Sequence, residues 1–158
     1  MRGLPVATNS KAPDQVRGCA FLKGRLIRLI TDIWHSFRSL PLWVQVWVAL
    51  ILVPVNMLSL LFLNEPKGIL IAALAVGGMM PNIAIMLVER GLSKMMALPH
   101  LLIWIPLLLI LWPHMGTVTG DYQIYLWLLL AVDGVSLAFD IPDAWKWWKG
   151  DRAVAGAQ

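Results

Sequence analysis

Charged residues are scarce in this chain. Asp, Glu, Lys and Arg make up 14% of its 158 residues, against about 25% in an ordinary soluble domain. A soluble helical bundle needs polar side chains along the outer face of each helix, and long stretches here have almost none, which excludes that class. Cysteine is nearly absent: Cys19 stands alone, so no internal disulfide or cysteine metal site is available, and no apolar run precedes it as a lipoprotein cleavage site requires. There is no Asn-x-Ser/Thr sequon, so glycosylation offers no clue to compartment. No nucleophile stands beside a base, no carboxylates are paired for catalysis, and no glycine loop cradles phosphate. Gly77-Gly78 is not such a loop, because it lies inside an apolar run. No catalytic residue and no cofactor is assigned.

What fills the chain instead is apolar surface, at 59% of residues against roughly 45–50% in soluble domains. It is gathered into runs that predict an all-α integral membrane protein with four transmembrane helices, at about 42–63, 68–88, 96–115 and 122–141. About 20 apolar residues cross roughly 30 Å of hydrocarbon at about 1.5 Å per residue. Asn64-Glu65-Pro66-Lys67 is a tight turn that makes the first two spans an antiparallel hairpin. The third run is less tidy, because Pro99-His100 and Pro113-His114 bracket it; its strict core of about a dozen residues suits a re-entrant segment as well as a crossing.

Loop charges favour the crossing. Seven of the thirteen Lys and Arg residues precede Pro41, only Lys67 lies in the first loop, Arg90 and Lys94 lie in the second, and Lys146, Lys149 and Arg152 follow the fourth span. Four crossings therefore put twelve basic residues on one side and one on the other, which the positive-inside rule assigns to the cytoplasm with both ends inside. The expected location is a bacterial inner membrane. With no earlier apolar run to serve as a signal peptide, the first span is expected to act as an uncleaved anchor. The net charge of +4 is read as attraction to an anionic cytoplasmic leaflet and not to nucleic acid.

Between residues 20 and 40, apolar side chains recur at helical spacing and Lys23, Arg25, Arg28 and Arg38 fill much of the remainder. Such a segment predicts a basic amphipathic helix lying in the membrane surface, ended by Pro41. Trp145, Trp147 and Trp148 with Lys149 read as a second surface anchor at the same face. The domain reading is a disordered basic arm at 1–17, one membrane domain at 18–141, and the Trp/Lys anchor with a disordered tail at 142–158. Glu89-Arg90-Gly91 and Asp151-Arg152 read as solvated loop charges.

Polar groups inside the spans need partners. An ionised carboxylate near the bilayer centre costs at least about 2.5–3.5 kcal/mol, so Asp133 must be protonated, paired or next to water. At 100° per residue, Tyr122, Tyr125, Asp133, Ser136 and Asp140 share one stripe of the fourth span, which should face protein, with Gly134 beside it to admit a neighbouring helix. Asn82, Asn56 or a Trp indole are the available partners for Asp133. Its depth lies between the two amides and nearer Asn82, which allows an Asn82–Asp133–Ser136 cluster. Pro54, Pro81 and Pro106 interrupt the first three spans, and Gly77-Gly78 before Pro81 makes the second the expected site of a kink. Broken helices with freed carbonyls are one way transporters build midplane sites. His100 and His114, about 21 Å apart along the third span, and His35 on the surface helix form no metal shell, and structural or interfacial roles are expected for them.

Three functions fit these features: an accessory or scaffold subunit of a membrane complex, with a membrane-protein partner or a second copy of itself; an oligomeric small transporter or channel using Asp133 for protons or cations; and a membrane-embedded enzyme acting on lipid, which lacks a credible catalytic set. The first asks only for packing surfaces and anchors, and is preferred.

Overall fold

The computed structural model describes residues 14–156, with side chains from Ala20 onward. Five helices account for most of them: α1 (Asp14–Ser39), α2 (Leu42–Phe62), α3 (Gly68–Glu89), α4 (Lys94–His114) and α5 (Asp121–Trp148). The last four are long and apolar enough to cross a membrane, so the chain is all-α and of membrane type. The 21 residues of α4 extend about 31 Å at 1.5 Å per residue. That matches the hydrocarbon thickness, and the third span needs no re-entrant geometry despite its bracketing prolines.

Local chemistry sets the breaks. Pro41 begins α2 with an extended ψ of 142°, and Gln45 closes the elbow: its Nε2 donates to Leu40 O at 2.7 Å and Arg38 O at 3.3 Å, while its Oε1 accepts from Arg38 Nη1 at 3.3 Å. Lys67 and Arg90 take left-handed φ values of 59° and 57° at the two ends of α3. The helix runs unbroken through Gly77, Gly78 and Pro81, and α4 runs unbroken through Pro106. The departure from regular winding lies instead in α2, where Trp47–Leu52 forms a π-helical turn and Val53 N–H donates to Val48 O, five residues back. Pro54 explains its place: the ring lacks an N–H and crowds the carbonyl four residues earlier, at Leu50, and a wider turn relieves the crowding. A looser turn thus stands ahead of Pro54 in the first span.

Packing follows three- and four-residue spacing. In α4 the buried residues are Ala97, His100, Trp104, Leu107, Leu111 and His114, one continuous stripe. Trp104, Leu107 and Leu111 meet Ile71 and Ala75 of α3 and Leu126, Leu129 and Val132 of α5 in a shared core with Leu52 and Val55 of α2. The opposite faces are apolar and open: Leu61, Val88, Leu102 and Leu109 are each more than 70% exposed, as lipid contact requires. Gly134 does not admit a helix, since the space where its Cβ would stand is empty. Gly78 does: a Cβ there would collide with Trp104 Nε1, and the fully buried indole donates to Ala75 O at 3.2 Å.

One end of the bundle gathers three segments. Arg90 pairs with Asp32 of α1 at 3.0 Å, and Leu92 N–H donates to Ser36 Oγ at 2.8 Å. The C-terminal segment folds back over the same loop: Ala155 N–H donates to Leu92 O at 2.8 Å, Ser93 bridges Val154, and Lys94 Nζ binds Asp151 at 2.6 Å. The Lys94 bond, helped by Ala153 N–H, holds the Asp151 carboxyl below its ordinary range. Gly91 sits at the centre, where a Cβ would meet Val154 and Ser36 within 2.7 Å. This corrects two expectations. Residues 150–156 are docked and not disordered, and Arg90 and Asp151 are paired and not merely solvated. The expected disordered arm lies outside the described residues through position 13, whereas residues 14–17 belong to α1.

Substituting Gly78→Ala is expected to lower stability by about 1–3 kcal/mol, the usual effect of overpacking, in detergent or nanodisc unfolding. Gly77→Ala, with open space around it, should leave stability unchanged or raise it by up to about 1 kcal/mol. Equal effects at the two positions would show that Trp104 does not depend on Gly78.

Candidate functional site

The stripe expected on the fourth span exists: Tyr122, Tyr125, Asp133 and Ser136 of α5 are buried, and Asp140 is half-buried. It meets different partners at different depths. In mid-bundle, Asp133 is fully buried and its Oδ1 accepts from Asn56 Nδ2 at 2.8 Å. Asn56 Nδ2 also donates to Leu52 O at 3.1 Å, one of the carbonyls around the π-helical turn. Ser59 Oγ donates to Asn56 O at 2.5 Å and Tyr125 OH to Val55 O at 3.3 Å. Asn56 Oδ1 and Asp133 Oδ2 are buried with no hydrogen-bond partner.

One turn further along α5, Ser136 Oγ accepts from Trp47 Nε1 at 3.1 Å. Beyond it, His100 bridges three helices, with Nδ1 at 2.9 Å from Asp140 Oδ2 and Nε2 at 2.8 Å from Asn82 Nδ2. Its ring stacks on Trp104 with centroids 3.9 Å apart and planes within 5°. Asn82 Oδ1 is buried without a partner. At the far end, His114 Nε2 lies 2.8 Å from Pro66 O, which also accepts from Tyr122 OH at 3.0 Å, and Thr117 Oγ1 lies 3.0 Å from His114 Nδ1.

The Asn82–Asp133–Ser136 grouping is not formed: Asp133 and Ser136 take partners on α2, Asn56 and Trp47, whereas Asn82 takes His100 on α4. The reason is the winding of α2. In a regular helix, residues nine apart point in opposite directions, yet Trp47 and Asn56 both reach α5. The π-helical turn between them advances less than 100° per residue and brings both onto one face, so Asn56 takes Asp133 before Asn82 can. Asn82 is left to His100.

Comparisons with protein-family models, with curated proteins and with solved structures find no match to this chain. The chemistry must therefore be read from the side chains alone.

Each pair of polar side chains bonded to one another inside the bundle joins two different helices: α2 to α5 at Asn56–Asp133 and Trp47–Ser136, α3 to α4 at Asn82–His100, and α4 to α5 at His100–Asp140. No group of three His, Cys, Asp or Glu side chains suited to a metal ion occurs among the described residues. Of the surface residues, Lys23, Arg25 and Arg28 stand exposed on α1. Trp145 and Trp148 are exposed, Lys149 Nζ lies 4.8 Å from the Trp145 ring, and Arg152 lies 3.6 Å from the Trp147 ring. All three tryptophans belong to α5, which continues through Pro142 to Trp148, so the Trp/Lys segment extends the fourth span and is not a separate surface element.

The residues missed from sequence are Trp47, Trp104 and His100. For His100 a signal existed, because Asn82, His100 and Asp140 all lie toward the same end of their spans in an alternating topology.

The Asn56–Asp133 pair gives a double-mutant test. Asn56→Leu leaves Asp133 with neither oxygen partnered and should cost about 1–3 kcal/mol. The double substitution Asn56→Leu/Asp133→Leu should cost less than the single one, because no buried polar group is orphaned. Unfolding in micelles measures both, and additive losses would show that the two side chains act independently.

Proposed function

We propose that this chain is an accessory or scaffold subunit of a membrane complex, seated in a bacterial inner membrane with both ends on the cytoplasmic side. The observation that carries the reading is the state of α1. Leu22, Leu26, Ile30 and Trp34 recur at four-residue spacing as an apolar stripe, each more than half exposed among the described residues. The same helix is fixed at its C-terminal end by Asp32–Arg90, Ser36–Leu92 and the Gln45 elbow. A helix held firmly and left apolar on one side is built to lie on something, either the anionic leaflet through Lys23, Arg25 and Arg28 or a partner at that surface. The intramembrane polar groups support the same reading, because they are engaged in joining helices. Orientation is supported by charge: from Lys23 onward, every basic residue except Lys67 belongs to α1, the loop at Arg90–Lys94, or the end of α5 and the tail.

Purification from native membranes in mild detergent, followed by mass spectrometry, is expected to recover one stoichiometric membrane partner or a homo-oligomer. Deleting residues 20–40 should abolish that association while the four spans remain membrane-embedded. A monomer with no partner in both forms would sink the proposal.

A second reading is favoured by the unpartnered Asp133 Oδ2 and Asn56 Oδ1: proton or cation handling at Asp133 in an oligomer. Its signature is a liposome flux that Asp133→Asn reduces at least tenfold. Equal flux in both forms, or none in either, removes it.

A further inference from the structure

His100 is held on three sides by groups whose hydrogen-bonding roles can be worked out. With Asp140 taken as the carboxylate, which accepts only, its Oδ2 at 2.9 Å requires a proton on Nδ1. In the neutral ring Nε2 is then an acceptor, and Asn82 Nδ2 at 2.8 Å supplies the donor. Two features are unexplained by that arrangement alone. Asn82 Oδ1 is buried with no partner, although its amide is placed against a group that can exchange roles. The imidazole also lies flat on the Trp104 face at 3.9 Å, a contact that favours a cation over a neutral ring, and Trp104 is fixed there by Ala75 O and Gly78.

We propose that His100 is a proton-binding site: a neutral imidazole held at Nδ1 by Asp140 takes up a proton at Nε2, and the Asn82 amide turns over to receive it. The new N–H then donates to Asn82 Oδ1, the atom that lacks a partner in the neutral state. Uptake converts a carboxylate beside a neutral ring, net charge −1, into an ion pair of net charge zero. That change is favourable in apolar surroundings, where a lone charge is costly. The His100 and Asp140 side chains keep 11% and 19% of their surface outside the protein packing.

The neighbouring helices offer few competing charges. The α2 helix has no titratable residue, and α3 has only Glu89, about 10 Å beyond Asn82 along the axis. On α4 the nearest is Lys94, bound to Asp151, with His114 at the opposite end. On α5, Asp143 and Lys146 pair with each other at 3.5 Å, Asp133 is bonded to Asn56, and Tyr122, Tyr125 and Asp121 lie farther off. Among the titratable groups of the described residues, Asp140 is the one bonded to the ring. The proposal does not rest on the scaffold reading or on flux through Asp133.

The test is nitrogen NMR of the full chain in lipid nanodiscs with ¹⁵N-histidine, using His35→Gln and His114→Gln to isolate the His100 signal. At pH 8 the ring is expected as the Nδ1–H tautomer, and by pH 5 as the imidazolium. Asp140→Asn should lower the imidazolium fraction at pH 5 at least tenfold, and Asp140→Glu should restore most of it. An Nε2–H tautomer at pH 8, or a ring still neutral at pH 5 with helicity and monodispersity intact, would overturn the proposal. Should Asp140→Asn fail to fold, the unsubstituted ring's tautomer and titration still decide.

Discussion

A hydrogen bond between an amide and a carboxyl group contributes little at a protein surface, where water competes for both. Inside an apolar bundle the same bond fixes how two helices must lie, and the Asn56–Asp133 contact at 2.8 Å has that role here. Asp133 is fully buried on α5, so α2 can be neither rotated nor slid by a turn without exposing a carboxyl group to hydrocarbon. With that register set, Trp47 meets Ser136 one turn on and Tyr125 meets Val55 O. The remaining face of α5 is left for α4, which brings His100 to Asp140. The bond does not have to be strong to do this. Polar pairs in membrane bundles average about 0.6 kcal/mol, but orphaning a buried member costs about 1–3 kcal/mol. Wrong registers are penalised more than the right one is rewarded.

The ends of the bundle are closed by a different means. At the end carrying Lys67, His114 and Tyr122 both reach Pro66 O, so a carbonyl exposed by the turn serves as the tie point for α4 and α5. At the other end, α1, the loop after α3 and the C-terminal segment meet around Gly91, through two ion pairs, the Ser36 hydroxyl and a backbone bond from Ala155 to Leu92. The first arrangement needs two aromatic side chains that carry hydrogen-bonding groups. The second needs a residue without a side chain, because Val154 and Ser36 occupy the volume that one would fill.

These differences explain what was legible in the sequence. The four spans were readable because hydrocarbon thickness fixes a length and lipid fixes a composition, and both leave a strong linear signal. The protein-facing stripe of Tyr122, Tyr125, Asp133 and Ser136 was readable because α5 is regular and 100° per residue holds along it. The partner of Asp133 was not, because assigning it required uniform winding in α2, and the turn ahead of Pro54 breaks that assumption where it matters. The docking of residues 150–156 was hidden for another reason: Ala155 N–H and Leu92 O are backbone groups, which any residue supplies, and the small side chains there look like those of a free tail.

The three mid-span prolines have different outcomes for helix winding. Proline at positions 54, 81 and 106 presents the same local problem, a missing donor and a crowded carbonyl four residues back. Only around Pro54 does the helix answer with a wide turn, and only there is a polar side chain, Asn56, required to face the same helix as an aromatic nine residues earlier. In α3 and α4 the buried stripes already run at regular spacing, with Ala75, Gly78 and Asn82 on one helix and His100, Trp104 and Leu107 on the other, and a shift in winding would separate Trp104 from Gly78. The irregular turn is therefore a consequence of what must be paired across α2 and α5, with proline making it available. Where packing demands regularity, proline is accommodated within an unbroken helix.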